Sequence, residues 1–424
     1  MINRVVERIY KSPFARNVAT LSVGHVVATA IPILAAPVSG RLYTPEDYGY
    51  FGQYMSVAMV LGVLSAGQYP QAIVIEKRQG NAHALVAVAV AVTFAVSVLT
   101  AIGAGVIAGW FGASNALGPY HAWIWSLPIA TFGTGVASAL SAAANREVRY
   151  RELALGQIGA AACSVVASIV LGYQGAGSHG LFIAFFASQA VSVAWLLALF
   201  GRRAFQPITL RRMRHVAALH WKMPLFTLPG QFVNTFTGYV PIYALIGLGD
   251  TGAIGNFNRA MQLLAMPLAF VGQAVSQVFR QRAAADIDDC GTCWPLFKKT
   301  AFALVAVSVV PTILLAYSAP AVFGAVLGPR WYGAGDVARI LLPMLMLRTI
   351  ASPLSAVFIL FGRQQQDLWI MVLSCVVTIA IVSAAYVFTG RSSAVIGAYC
   401  LGQSAMYAIY LVRSILIARS RVPP

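Results

Sequence analysis

The chain has 424 residues, of which 59% are hydrophobic and only 10% charged, with a mean hydropathy of +0.76 and a formal net charge of +17. This composition excludes a soluble globular domain. The basic charge alone would suit a nucleic-acid partner, but the basic residues lie in short loops between apolar runs, which is typical of a membrane protein.

Long apolar runs follow one another along the whole chain and predict transmembrane helices. They reach about 18 residues or more and lack the period-2 alternation of a barrel strand, so helices are the structure that satisfies their backbone in a bilayer. We predict an all-α membrane protein with 12 transmembrane helices, which puts both termini on one side. The predicted spans cover residues 17–41, 50–75, 84–110, 119–144, 153–173, 180–200, 220–247, 253–279, 299–327, 336–361, 368–389 and 393–415.

The basic residues divide unevenly between the two sides of these spans. Of the 29 Lys and Arg residues, 23 lie in the N-terminal head, the loops of the same side or the C-terminal tail. Cytoplasmic loops carry the excess of positive charge, so both termini are predicted to be cytoplasmic. The basic head shows no cleavable signal pattern. The loops of the opposite side hold Arg41, Arg330, Arg339 and Arg391.

Spans one and two carry two local features. His25 lies about two turns into span one, where a histidine that changes charge near neutral pH and a neutral histidine bonded inside the bundle both stay open. Thr44 suits a helix N-cap, Pro45 the first helical position and Asp47 the third, as in a capping box. We therefore interpret Asp47 as a residue that starts a helix rather than as a catalytic carboxylate.

A basic connection separates two predicted lobes. Residues 201–219 carry five arginines interleaved with apolar residues, between lobes at residues 1–200 and 220–424. An amphipathic helix held at the interface by anionic lipid explains this pattern, and so does an electrostatic funnel for a phosphate-bearing substrate.

A short segment recurs at an offset of 203 residues. Span two begins Asp47-Tyr-Gly-Tyr-Phe-Gly-Gln-Tyr54 and span eight begins Asp250-Thr-Gly-Ala-Ile-Gly-Asn-Phe257. Such an offset predicts two six-helix lobes related by a pseudo-twofold axis along the membrane normal. Gly and Pro interrupt spans one and seven alike, which indicates a transporter's binding region or only the frequency of these residues in membrane helices.

Span eight also carries Arg259 and several side chains that suit sugars. Arg259 lies about two turns from the end of its span, so both snorkelling to the interface and a site role stay open. Gln53, Tyr54, Asn256 and Gln262 would hydrogen-bond sugar hydroxyls if they lined a cavity, and polar residues that join helices are the equal alternative.

Only Cys290 and Cys293 have the spacing of a metal or redox pair. They lack a second pair and lie in a predicted cytoplasmic loop, where a disulfide would be reduced, so we interpret them as ordinary thiols. No metal site, cofactor or catalytic constellation is predicted, and the chain contains no Walker A sequence. We expect a protein that is not an enzyme.

Arg348 lies near the middle of span ten, and no acidic residue lies in the interior of a predicted span. A charge at the bilayer centre costs about 2.5–3.5 kcal/mol on insertion scales, so such residues usually face a cavity. A structural arginine bonded to carbonyls freed by Pro343 or Pro353 is the alternative. A cationic interior without carboxylates predicts an anionic cargo and argues against a carboxylate relay for protons or sodium.

Two segments carry a family resemblance. They are Gly40-Arg-Leu-Tyr-Thr-Pro-Glu-Asp-Tyr-Gly-Tyr-Phe-Gly-Gln-Tyr54 and Gly255-Asn-Phe-Asn-Arg-Ala-Met-Gln-Leu-Leu-Ala-Met-Pro267. Both resemble the Wzx-type oligosaccharide flippases of the multidrug/oligosaccharidyl-lipid/polysaccharide exporter superfamily. The chain departs from lipid II flippases, which usually carry two extra spans, and from the many drug exporters that carry an intramembrane Asp or Glu.

The resemblance implies a bacterial inner-membrane protein that moves undecaprenyl-diphosphate-linked oligosaccharide repeat units from the cytoplasmic to the periplasmic leaflet. Its implied partners are this lipid-linked oligosaccharide, the lipid bilayer, a polysaccharide polymerase and a chain-length regulator, but no nucleic acid. We expect the lobes to rock about a cavity lined by spans one, two, seven and eight, with Arg348 contributed by span ten.

An export pump for a small organic molecule on the same fold is the main alternative function. A polymerase or ligase acting on lipid-linked sugars is disfavoured, because such enzymes tend to carry large periplasmic loops and the loops predicted here are short. O-antigen (lipopolysaccharide), capsule and exopolysaccharide all stay open as the polymer, and the energy source stays open as well.

Overall fold

The computed structural model describes residues 13–111, 123–200 and 208–420 of the chain. Over these ranges every regular element is helical and none is a strand, so the predicted all-α class is confirmed. The first 12 residues of the basic head, the beginning of predicted span four and residues 201–207 of the connection lie outside the described residues.

The helices in the first part of the chain are numbered in order among the described residues. They are α1 (Pro13–Leu34), α2 (Ala36–Leu42), α3 (Pro45–Ser65), α4 (Tyr69–Ile75), α5 (Gln79–Phe111), α6 (Leu127–Arg146), α7 (Tyr150–Tyr173), α8 (Ser178–Phe200) and α9 (Leu210–Leu219). The break between α3 and α4 has a local cause, since Gly67 and Gln68 adopt left-handed φ angles of 57° and 59°. A right-handed helix does not continue through such residues.

The second part of the chain begins with a single π-helical turn, Met223–Thr227, and contains one 3₁₀ turn, Pro329–Trp331. Its helices are α10 (Leu228–Leu248), α11 (Thr251–Cys290), α12 (Trp294–Leu327), α13 (Tyr332–Leu354), α14 (Ala356–Leu360), α15 (Gln364–Thr389) and α16 (Ser392–Arg419).

Most of these helices are long and apolar enough to cross a membrane. Over the described residues nine stretches pass this test, and the α3–α4 pair, bent by 46°, makes a tenth if it is one span. The chain is therefore a multi-pass membrane protein, as predicted. Predicted spans seven and eight are the helices α10 and α11, which do not pass because polar residues such as Gln231, Asn234 and Arg259 interrupt them. The total of twelve spans stays a prediction.

Contacts between residues divide the chain into two units. The first contains residues up to Tyr43 and Tyr54–Thr235, and the second contains Thr44–Gln53 and Phe236–Pro424. The first two turns of α3 thus pack with the second unit rather than with the rest of their own helix. The predicted lobes at residues 1–200 and 220–424 concern an internal duplication, which this division does not test.

In the first unit, α1 packs on α7, α7 on α8, and α5 on α6, while the short helix α4 fills the space against both α5 and α6. The basic helix α9 packs on α5. One apolar core runs through α4, α5 and α6, and it includes Ile73, Leu85 and Leu140, each at most 3% exposed.

In the second unit, α13 is the central helix and packs against α11, α12 and α16. Its side chains Leu341, Leu345 and Leu354 are at most 2% exposed. The buried side of α13 thus forms the interior of the unit, and α13 is also the helix that carries Arg348.

Candidate functional site

The two copies of the repeated segment begin helices by different means. At the start of α3, Thr44 and Asp47 form the predicted capping box: the Thr44 backbone N–H donates to Asp47 Oδ2 over 3.0 Å, and the Asp47 N–H donates to Thr44 Oγ1 over 3.2 Å. At the start of α11, Asp250 is itself the N-cap. Its Oδ1 accepts from the Ala253 N–H over 2.9 Å, and its Oδ2 accepts from Ser392 Oγ over 2.5 Å.

The repeated segments pack against each other inside the second unit, through their glycines. A β-carbon at Gly49 would collide with the carbonyl oxygen of Thr251, and one at Gly255 would collide with the carbonyl oxygen of Pro45. A β-carbon at Gly52 would collide with the side-chain amide of Asn258. Backbones approach this closely only where the side chain is absent, which explains why glycine recurs at these positions.

Arg259 lies beside this contact, on α11, and is 2% exposed. Its guanidinium carbon lies 3.7 Å from the ring centroid of Tyr48 and 5.4 Å from that of Trp331. Its Nη1 donates a hydrogen bond to Gln262 Oε1 over 2.9 Å. The electron-rich faces of aromatic rings attract a cation, most strongly where water is excluded. The Arg259 charge is therefore stabilised inside the protein, and its side chain does not snorkel to the membrane interface.

Asn256 and Gln53 lie near this cluster, which consists of Tyr48, Arg259, Gln262 and Trp331. The Asn256 side chain packs against Gly333, where a β-carbon would lie 2.8 Å from its Nδ2. Among the described residues, its Oδ1 is buried and accepts no hydrogen bond. Gln53 is half-buried at the end of the segment that packs with the second unit.

Arg348 lines a cavity of about 210 Å³ between α11 and α13, within the second unit. The side chain is exposed although its helix is the most buried of the spans, which its position on the cavity wall explains. Its polar companions on the wall are Gln273, Ser276, Thr349 and Ser352. The cavity wall also contains Pro353. It is one of the two prolines whose freed backbone carbonyls are the alternative explanation for Arg348.

The charge of this cavity is positive. Among the residues that the structure describes, Arg348 is the only ionisable residue of the lining, and the other polar groups are one amide and three hydroxyls. On α13 the carboxylate lies near the beginning of the helix, at Asp336, and on α11 the carboxylates lie near its end, at Asp286, Asp288 and Asp289. A cavity with a guanidinium and several neutral hydrogen-bonding groups suits an anionic, oxygen-rich ligand.

The other two predicted site residues belong to the first unit. Tyr54 is 3% exposed, its hydroxyl lies 3.0 Å from Ser126 Oγ, and its ring meets that of Phe182 edge-on at 5.1 Å. His25 has an exposed side chain on α1. The structure thus brings Arg259 and Gln262 together, puts Arg348 in a cavity, and places Tyr54 in the aromatic packing of a different unit.

Several residues of these sites were not predicted from the sequence. Tyr48 lies within the repeat, but its counterpart is a threonine, so the repeat did not single it out. Trp331 follows the end of an apolar run, where an aromatic residue is typical of a membrane interface, yet its side chain is fully buried. On α11, Gln273 and Ser276 follow Gln262 at helical spacing. This spacing is a sequence signal that polar side chains lie near the side of the helix that carries Arg259.

The pair Cys290 and Cys293 shows no sign of a shared site. Cys290 is exposed, whereas Cys293 is fully buried before the first turn of α12. Burial raises the pKa of the Cys293 thiol to about 11, so it stays protonated at neutral pH. A protonated thiol is neither the nucleophile nor the metal ligand that redox or zinc chemistry needs.

Comparisons with known proteins bear on both fold and family. A family model described as polysaccharide biosynthesis protein matches residues 38–336. The fold is similar to that of the lipid II flippase MurJ in an inward closed conformation, with a TM-score of 0.72, 12% identity, and 94% of this chain and 89% of that chain covered. No curated protein matches the chain.

Two transporters of the MOP superfamily are similar as well. An outward-facing multidrug resistance MATE family transporter gives a TM-score of 0.63 at 15% identity, with 95% of this chain and 96% of that chain covered. A MOP superfamily transporter from Pyrococcus furiosus gives 0.64 at 14% identity, with the same coverage of 95% and 96%. At these identities the solved structures show the fold alone.

Proposed function

Since the chain belongs to this family of polysaccharide biosynthesis proteins and has the fold of MOP superfamily transporters, we propose that it is a flippase for lipid-linked oligosaccharides. The proposed substrate is an undecaprenyl-diphosphate-linked repeat unit, moved from the cytoplasmic to the periplasmic leaflet of the bacterial inner membrane. We further propose twelve spans in two six-helix lobes, cytoplasmic termini, and a polysaccharide polymerase and chain-length regulator as partners.

The observation that carries this proposal is the cavity of Arg348. The part of its wall that the structure describes offers one guanidinium with an amide and three hydroxyls, and no carboxylate. A diphosphate loses its hydration on entering a membrane protein, at a cost that only cationic and hydrogen-bonding partners offset. Arg348 would take the diphosphate oxygens, while Gln273, Ser276 and Ser352 would bind the remaining oxygens of the phosphates or the first sugar.

The membrane potential would favour release on the far side. Moving one elementary charge across 100 mV is worth about 2.3 kcal/mol, and an anion moves outward when the cell interior is negative. Alternating access of the cavity would convert this gradient into net transport of the head group, while the polyprenyl tail stays in the bilayer.

Arg259 has a different role in this proposal. Because its guanidinium is stacked under Tyr48 and bonded to Gln262, its charge is already stabilised within the protein. We assign Arg259, Gln262 and Asn256 to holding the first turns of α3 on α11. Gln53, Tyr54 and His25 remain candidates for sugar contacts.

An export pump for a small organic molecule is the second candidate function, because the fold is shared with a multidrug transporter. The family match favours the flippase, and so does the lining of the Arg348 cavity, which contains no acidic residue among those that the structure describes. A pump for organic cations needs an anionic or neutral cavity, since a buried guanidinium would repel its cargo.

The test is complementation of polymer assembly in cells that lack the native gene. Arg348→Ala should lower surface polymer about 10–100-fold, since a charge-assisted hydrogen bond is worth roughly 1.5–3 kcal/mol. Arg348→Lys should keep part of the activity if charge alone matters, and little if the phosphate is held by a planar bidentate fork. Arg339→Ala is the matched control on the same helix, because Arg339 is exposed and does not line the cavity.

Membrane levels of each variant are measured beside the polymer, so that loss of protein is separated from loss of transport. Normal polymer in cells with Arg348→Ala would refute the anion site. If polymer is unaffected while export of a small organic compound falls, the pump replaces the flippase.

A further inference from the structure

Helix α9 and the loop before α5 together carry an exposed cluster of cations in the first unit. Exposed side chains here are Lys77, Arg78, Arg211, Arg212 and Arg214, and we call this set the basic platform. Arg212 lies directly over Gly80, where a β-carbon would collide with its guanidinium. The helix and the loop therefore form one continuous surface.

The central apolar side chains of α9 face the protein, whereas Leu210 and Leu219 at its two ends are exposed. Val216 is fully buried in the core that α4, α5 and α6 share, and Met213 and Ala217 pack against the same core. A helix whose apolar face is occupied in this way does not insert that face into a bilayer as a free amphipathic helix does. It holds its arginines outward at fixed positions instead.

Glu76, a carboxylate beside the platform, is already paired. Glu76 Oε1 accepts a hydrogen bond from the Arg78 backbone N–H over 2.9 Å, and Glu76 Oε2 lies 2.9 Å from His220 Nε2. These two bonds, in that order, lower the pKa of Glu76. Arg146 donates to the Glu76 and Lys77 carbonyl oxygens over 3.0 and 3.2 Å, which fixes the loop. The outward charge of the platform is thus positive and unopposed by Glu76.

The position of the platform matches the level of lipid headgroups. Its loop joins Ile75, the end of the bent pair α3–α4, to Gln79, the start of a span candidate. On α9, Arg211 and Arg214 share one side, while Arg212 points about 100° away from Arg211 because successive helical residues are offset by that angle. Because these cations point to two sides of the helix, they suit contacts with several phosphates of a surface. They do not converge on a single phosphate.

We propose that the basic platform binds the headgroup phosphates of anionic phospholipids at the membrane surface. Each arginine near an anionic surface contributes a roughly fivefold gain in binding, and the gain falls with salt. This contact would hold α9 against the headgroups next to the beginning of α5. It does not depend on what the protein transports.

The test uses the full-length protein in micelles of a neutral detergent, titrated with dihexanoyl-phosphatidylglycerol. Wild type should bind this lipid more tightly than dihexanoyl-phosphatidylcholine, and raising the salt should weaken only the former. The triple variant Arg211→Gln/Arg212→Gln/Arg214→Gln should bind phosphatidylglycerol about 100-fold more weakly. The charge-matched control Arg282→Gln/Lys299→Gln/Arg413→Gln removes three exposed cations of the second unit and should bind within twofold of wild type.

A second triple variant, Arg211→Lys/Arg212→Lys/Arg214→Lys, keeps the charge and should keep phosphatidylglycerol binding. This variant separates an electrostatic effect from damage to the fold. Farnesyl diphosphate is titrated in a parallel arm. Equal phosphatidylglycerol binding by wild type and the glutamine variant would overturn the proposal. So would binding of farnesyl diphosphate at the platform without binding of phosphatidylglycerol, because the surface would then serve an isoprenoid diphosphate.

Discussion

At the scale of single residues, the two intramembrane arginines are accommodated in opposite ways. Arg259 is enclosed by two aromatic rings and one amide, so its charge is stabilised by groups of the protein. Arg348 opens into a cavity with hydroxyl and amide neighbours. The same residue type is therefore enclosed by side chains in one place and open to a cavity in the other.

The stacking of Arg259 predicts an asymmetry between two substitutions of Tyr48. Tyr48→Leu removes the ring face and should lower the free energy of unfolding by about 2 kcal/mol, the value of a desolvated cation–π contact. Tyr48→Phe keeps the ring but removes the hydroxyl, which also hydrogen-bonds to the Arg259 side chain, so it should lose less stability than Tyr48→Leu. Unfolding midpoints of the purified protein in detergent measure both. Equal losses in the two variants would contradict the role assigned to the ring.

Sequence alone could single out both arginines, because a charge inside an apolar run is a local signal. The sequence alone could not identify the residues that surround each arginine. Tyr48 and Trp331 lie far from Arg259 in the chain, and a β-branched or small residue at either position would leave the hydropathy pattern nearly unchanged.

At the scale of elements, the internal repeat has a packing explanation. Its glycines let α3 and α11 approach until Gly49 meets the Thr251 carbonyl and Gly255 meets the Pro45 carbonyl. The repeated aspartate has no single role, since Asp47 is the third residue of a capping box and Asp250 is an N-cap. What recurs in the sequence is thus the small residue at the contact and an aspartate at a helix beginning nearby.

This close approach predicts that alanine is destabilising at the repeat glycines. Gly49→Ala and Gly255→Ala should each cost about 1–3 kcal/mol, the usual penalty of overpacking, because the colliding atoms are backbone carbonyls that cannot rotate away. The matched control is Gly397→Ala on α16, where a β-carbon meets nothing within 4 Å. Alanine there should be neutral or stabilise the helix by up to about 1 kcal/mol.

Unfolding midpoints of the three variants are compared in one detergent. If the Gly49→Ala and Gly255→Ala variants have the same unfolding midpoint as the Gly397→Ala control, then α3 and α11 do not pack as closely as in this structure.

The basic connection shows how an element can be predicted while its partner is missed. The interleaved arginines and apolar residues predicted an amphipathic helix, and residues Leu210–Leu219 form one. Periodicity reports only that one face is apolar. Whether that face meets lipid or protein depends on the neighbouring helices, and here it is packed on α5.

At the scale of the whole molecule, the distribution of charge makes a prediction about topology. With 23 basic residues on one side and four on the other, both termini are expected in the cytoplasm. A green fluorescent protein fused after Pro424 should therefore fluoresce, and alkaline phosphatase at the same place should be inactive. The reverse pattern would mean an odd number of spans or the opposite orientation.

A second fusion point sharpens this experiment. A fusion in the loop around Gly390, between α15 and α16, should report the opposite side from Pro424, because one helix separates them. The same result at both points would remove α16 from the set of spans.

By itself, the sequence determined the class of the protein, the places of its helices, its membrane character and its family, because hydropathy, charge and short motifs are properties of neighbouring residues. Only the tertiary structure decided that Arg259 is stacked under Tyr48 while Arg348 opens into a cavity, that the repeat glycines are a contact, and that α9 presents its arginines outward from a buried apolar face. These outcomes depend on which helices pack together, and packing is set by contacts between residues far apart in the chain, which periodicity does not encode.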